Sequence, residues 1–135
     1  MKTATRYGMK TVLRTPYEDT VQRTIEALQA EGFGVLTEID VKATMRKKLD
    51  ADFRPYVILG ACNPHLAYRA LQAELDLGLL LPCNVIVYEE TAGSVVSIVD
   101  PGAMMEVADN PELESVATEA RERLERVLAS LESAV

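Results

Sequence analysis

Tyr56-Val57-Ile58-Leu59-Gly60-Ala61-Cys62-Asn63-Pro64-His65 is the stretch on which the fold turns. Behind Pro55, an aromatic residue and branched aliphatic residues make Tyr56 to Cys62 a strand. Asn63-Pro64 then opens a helix. An Asn side chain accepts from first-turn amides, and Pro lacks the amide that would go unpaired at the first helical position. The same pair recurs as Asn110-Pro111, so capping alone accounts for Asn63 and Pro64. It does not account for the thiol of Cys62 before the cap or the imidazole of His65 after it.

Downstream, Leu81-Pro82-Cys83-Asn84-Val85 opens the next apolar run and holds the second cysteine. Asn84 to Tyr88 and Val95 to Val99 read as a hairpin across Glu89-Glu90-Thr91-Ala92-Gly93. Asp100-Pro101-Gly102 reads as a turn, followed by a short helical segment around Met104 to Val107. A long helix is expected from Pro111 behind the Asn110 cap. Leu113, Val116, Ala117, Ala120, Leu124, Val127, Leu128 and Leu131 recur on one stripe of it. Glu119 with Arg123 and Glu122 with Arg126 form four-residue pairs on its wet side.

Upstream, Met9 to Arg14 is a short strand, and Thr15-Pro16-Tyr17-Glu18 announces a helix. Thr15 is the expected cap, Pro16 the first helical residue and Glu18 the partner in a capping box. Tyr17, Val21, Ile25 and Leu28 give a buried stripe, and Gly32 supplies the left-handed stop. Phe33 to Asp40 is a strand with a polar end. Asp40 caps a short helix from Val41 to about Leu49, whose Val41, Met45 and Leu49 repeat every four residues. Lys42, Arg46, Lys47 and Lys48 on its other side read as a solvated face in preference to an anion site.

The 135 residues fit one domain, 1–135, of ordinary globular composition, with 48% hydrophobic and 26% charged residues. Trp is absent and the net charge is -7. Both features argue against a nucleic-acid partner, which needs stacking platforms and phosphate attraction. Neither a signal peptide nor a run long enough to span a bilayer is present, so no membrane partner is expected and the expected location is cytoplasmic. In a reducing compartment the two cysteines are free thiols. With no Cys-x-x-Cys, a four-thiolate zinc site needs two chains to pool ligands.

Three segments, Gly32-Phe33-Gly34-Val35-Leu36-Thr37-Glu38-Ile39-Asp40-Val41-Lys42, Leu59-Gly60-Ala61-Cys62-Asn63-Pro64 and Leu80-Leu81-Pro82-Cys83-Asn84-Val85, resemble the family called domain of unknown function 302. The resemblance covers nearly the whole chain. It implies an α+β fold in which a curved, mainly antiparallel sheet of about five strands is backed by helices, TATA-binding-protein-like, and it implies a homodimer. It assigns no activity. With the strand ending at Cys62 antiparallel to the one beginning at Cys83, both thiols reach the same rim. The expected cluster is Cys62, Asn63, His65, Cys83 and Asn84, with Glu38 and Asp40 as neighbours.

Three functions compete there. The first is binding of a small ligand or metal ion at the Cys-Asn rim. Asn63 and Asn84 would offer polar groups beside Leu79, Leu80 and Leu81, with Cys62, Cys83 and His65 as metal candidates. The second is a thiol-dependent enzyme, with Cys62 activated by a helix N-terminus and by protonated His65. Against it, a small apolar side chain packs comfortably at a strand end. The third is a structural or interaction module, in which Leu79-Leu80-Leu81 and an exposed part of the last-helix stripe form a dimer contact. No Gly-x-Ser-x-Gly, Walker sequence or Gly-x-Gly-x-x-Gly occurs. Binding is the reading adopted, and the cofactor is left unassigned.

Overall fold

Strand alternation divides the sheet of this protein into two unlike faces. In the computed structural model, which describes residues 2–133, the strands are β1 (Lys2–Ala4), β2 (Gly8–Leu13), β3 (Gly34–Asp40), β4 (Tyr56–Cys62), β5 (Cys83–Glu90) and β6 (Gly93–Val99). They pair antiparallel throughout in the order β1-β2-β6-β5-β4-β3. The five expected strands are β2 to β6. The short β1, which no periodicity marks, adds a sixth at the edge. The helices are α1 (Tyr17–Ala30), α2 (Val41–Leu49), α3 (Pro64–Ala73), α4 (Pro101–Ala108) and α5 (Glu114–Ser133), with 3-10 segments at Leu75–Leu80 and Pro111–Leu113.

One face is the core. Val57, Leu59, Val85, Val87, Val96 and Ile98 alternate along three adjacent strands and are buried, each contributing about 1.5–3 kcal/mol by leaving water. The α5 stripe closes over them. Its eight expected residues, starting from Leu113 in the preceding 3-10 segment, are all buried within this chain, so the stripe has no exposed part to form a dimer contact. Arg123 pairs with Glu119 as expected, at 3.1 Å. Arg126 instead reaches Glu31 at 3.0 Å, because the end of α1 packs beside α5 and offers a carboxylate that local spacing does not reveal.

Helix α1 departs from its expected cap and stripe. It starts at Tyr17 with Pro16 in the cap position and no side-chain cap bond. Thr15 instead shares a hydrogen bond with Thr20 at 2.7 Å. The deepest line is Thr20, Thr24 and Leu28, while Tyr17, Val21 and Ile25 flank it half-buried. Threonine can occupy the deep line because the Thr20 hydroxyl donates to the Pro16 carbonyl at 3.0 Å and the Thr24 hydroxyl to that of Thr20 at 2.7 Å, leaving neither group unpaired. Asp100 does not make a free turn. It caps α4 through the Gly102 amide at 2.8 Å.

Two glycines fix the chain reversals. Gly32 follows α1 with φ +84, the conformation that Gly adopts at least cost. Gly93, φ +143, begins β6, and a Cβ there would lie 2.1 Å from the Leu13 carbonyl oxygen. The hairpin therefore closes tightly against β2. Helix α2 buries no residue: of the expected stripe, Val41 and Met45 are half-buried and Leu49 is exposed. Its Arg46 pairs with Asp50 at 2.9 Å and with Asp52, and Lys42 donates to the Phe53 carbonyl at 3.1 Å. The basic face is solvated and partly self-neutralised.

Candidate functional site

The strand-to-helix junction at Cys62-Asn63-Pro64 forms one wall of a cavity of about 310 Å³. β4 supplies Ala61 and Cys62, the α3 cap supplies Asn63, and α3 itself supplies Leu66 and Ala70. Across the space lie Pro82 and Cys83 at the start of β5, Met105 of α4, and Val116, Ala117 and Ala120 of α5. The room exists because the facing helices carry alanine where they meet. Leucines at Ala70, Ala117 and Ala120 would fill it.

Asn63 is buried, and its Oδ1 accepts from the Leu66 amide at 3.2 Å. It is the expected N-cap. A Cβ on Gly32 would come within 2.9 Å of the Asn63 Nδ2, so the α1 stop and the α3 start are fitted to each other. Cys83 pairs in register with Ala61 and shares its helix-facing side. Burial first, and then charge on nearby Cys62, push its thiol up to about 11. Burial also raises the Cys62 thiol. This is opposite to the depression expected from a helix N-terminus, and its cause is loss of solvent. Both cysteines are free, and both stay protonated near neutral pH.

The remaining expected site residues do not join them. His65 lies in the first turn of α3 but is exposed and does not border the cavity. Asn84 follows Cys83 directly, and the two-residue period of a strand turns it to the opposite face, where it is exposed. Glu38 and Asp40 pair with Leu59 and Val57, two and four positions along β4 from Ala61, or about 7 and 13 Å at a strand's rise. Asp40 caps α2, accepting from the Ala43 amide at 2.9 Å. The two carboxylates instead surround Tyr17, whose hydroxyl is pushed up to about 12 by burial first, then by Asp40, Glu18, Glu38 and Glu89. Among the described residues, no three His, Cys, Asp or Glu side chains come together as metal ligands.

Sequence reading missed Leu77, Met105 and the role of the alanines. Ala117 and Ala120 are visible in the apolar stripe of α5, but a small residue marks a cavity only when its neighbour across the space is also small. That neighbour is α3, distant in sequence. Of the three leucines before β5, Leu81 borders the cavity, Leu80 packs against the core and Leu79 is 89% exposed.

Residues 9–131 match the family described as Domain of unknown function DUF302. The chain belongs to this family. A crystal structure described as uncharacterized conserved protein DUF302 from Bacillus stearothermophilus is similar at 32% identity, covering 92% of this chain and 97% of that chain with a TM-score of 0.85. No curated protein matches. The DUF302 match fixes the α+β fold and leaves the chemistry to the cavity itself. No helix among the described residues is long and apolar enough to cross a membrane.

Proposed function

We propose that this DUF302 protein binds a small, uncharged, largely hydrocarbon ligand in the rim cavity. The observation that carries the reading is an apolar space of about 310 Å³ whose polar border is reduced to Cys62, Asn63 and Cys83. That volume is in the range of small-molecule sites, which are mostly apolar with a few placed polar groups. The Asn63 Oδ1 is already engaged in capping, and the two thiols carry no charge at neutral pH. Such a wall has little to offer an ionic group. Two thiols without a third donor support an organic ligand over a metal ion, and their raised proton affinities support binding over nucleophilic catalysis. Two free thiols also support a reducing, cytoplasmic setting.

The test is a fluorescence titration with N-phenyl-1-naphthylamine, a neutral apolar probe, on wild type, Ala120→Leu and Leu79→Ser. Wild type and Leu79→Ser should saturate at one site per chain, while Ala120→Leu should bind at least about tenfold more weakly with unchanged helix content. Unchanged affinity in a folded Ala120→Leu variant would overturn the assignment to this cavity. Absence of saturable binding in the wild type would overturn the reading as a whole.

A further inference from the structure

The Asn63 side chain has two ends, and capping uses only one. The Leu66 amide is a donor, so the atom it meets at 3.2 Å is the oxygen, Oδ1. Nδ2, with two N–H bonds to give, makes no hydrogen bond among the described residues. Gly32 lies beside it without a side chain, and Arg123 on that side is itself a donor, given to the Glu31 carbonyl at 3.1 Å. The other Asn-Pro cap shows the contrast. Asn110 accepts from the Glu112 amide at 3.0 Å and also donates through Nδ2 to Glu74 at 3.1 Å. Where a cap serves only as an acceptor, at Asp40 and Asp100, the residue is Asp.

Asn63 is only 6% exposed, and an amide donor buried without a partner is costly. Among the described residues no side-chain nitrogen or oxygen is both sealed off and unpaired, so Nδ2 is reached from open space. The space that Asn63 borders is the rim cavity. We infer that the ligand of this cavity is a neutral carbonyl compound, a small apolar ketone or ester, whose oxygen accepts a hydrogen bond from Asn63 Nδ2. The inference rests on the cavity reading above and adds the functional group. A carboxylate fits less well, since no Lys, Arg or His lines the cavity and a buried anion needs a partner. An alcohol would bring a donor of its own, and the only side-chain oxygen in the wall is the engaged Oδ1. A carbonyl accepts without donating. Asn63 thus starts α3 with one atom and selects the ligand with the other.

Displacement of N-phenyl-1-naphthylamine by acetophenone and by α-methylstyrene, its isostere with a methylene in place of the carbonyl oxygen, tests this. The proteins are wild type and Asn63→Asp at pH 8, with circular dichroism reporting the fold. The Asp carboxylate can still accept from the Leu66 amide but has no N–H to give. Acetophenone should lose at least about tenfold more affinity than α-methylstyrene on that substitution. Equal losses in a folded variant would overturn the inference. The infrared carbonyl stretch of acetophenone bound to wild type should lie below its frequency in hexane, and it decides the matter should Asn63→Asp misfold. A stretch at the hexane frequency would overturn the inference, as would displacement by α-methylstyrene but not by acetophenone. Either result leaves the cavity reading standing. Failure of wild type to bind the probe removes that reading and this inference with it.

Discussion

Cys83 should be a slow thiol, and how slow follows from its surroundings. Replacing Cys62 with Ser leaves Cys83 as the sole cysteine of the chain and keeps burial, the larger cause of its raised pKa. With both cysteines present the thiol moves from 9.0 to about 11, which takes the thiolate fraction at pH 8 from about one tenth to about one thousandth, and the variant keeps the larger part of that change. Since the thiolate is the reacting form, alkylation should be slower by up to about 100-fold in the folded chain than in the same chain unfolded in urea. Restricted access to the rim slows it further. Intact-mass measurement of iodoacetamide modification from pH 7.5 to 10.5 reads the rate directly. The logarithm of the folded-state rate should climb by about one per pH unit across that range without levelling. A plateau beginning near pH 9, or equal rates in folded and unfolded chains at pH 8, would refute the desolvated-thiol account and return thiol catalysis to contention.

The same burial predicts alkaline weakening. Cys83 and Tyr17 hold their protons in the folded chain up to about pH 11 and 12, whereas the unfolded chain releases them from about 9 and 10 upward. Stability is thus fully present below pH 9 and falls as pH rises toward 12, by up to about 1.4 kcal/mol per pH unit for Cys83 and by clearly less for Tyr17, whose partly exposed hydroxyl is screened by solvent, and urea melts at pH 8 and 11 should differ accordingly. Gly93→Ala should cost about 2–4 kcal/mol, since it combines a positive φ with a Cβ on the Leu13 carbonyl. Gly34→Ala, whose Cβ meets nothing within 4 Å, should stay within about 0.5 kcal/mol by the same melts. Asn63→Ala removes the buried cap on the Leu66 amide and should lower stability by about 1–2 kcal/mol.

Most of the fold is legible because its signals are local. Gly32, Asp40 and Asn63 act at chain reversals or caps where short-range chemistry decides, and each does what its residue type predicts. The α5 stripe is legible because eight apolar residues on one period leave no other face to bury. Thr20 and Thr24 are misleading for a physical reason, since a hydroxyl that bonds to its own helix can lie deeper than the Ile25 beside it. The site is the least legible part. Sequence proximity grouped Asn84 with Cys83 and His65 with Cys62, yet strand alternation separates the first pair, and the exposed first turn of α3 takes His65 into solvent.

The residue order of β4 and β5 is therefore best understood as two messages written in alternation. Val57, Leu59 and Ala61, with Val85 and Val87, build the core that ends in the rim cavity. Tyr56 and Ile58, with Ile86 and Tyr88, build the open face. The side chains diminish toward the rim on both sides. Ala61 leaves the cavity its room, while a Cβ on Gly60 would strike Thr37 on the other side and the edge of Pro82. Leu59-Gly60-Ala61-Cys62 thus narrows the strand where both surfaces meet the α3 cap. A change of side-chain size at Ala61 should be felt first in ligand binding, whereas the same change at Ile58 or Ile86 falls on the open face and should leave binding alone. The strand can serve both faces because adjacent residues point in opposite directions.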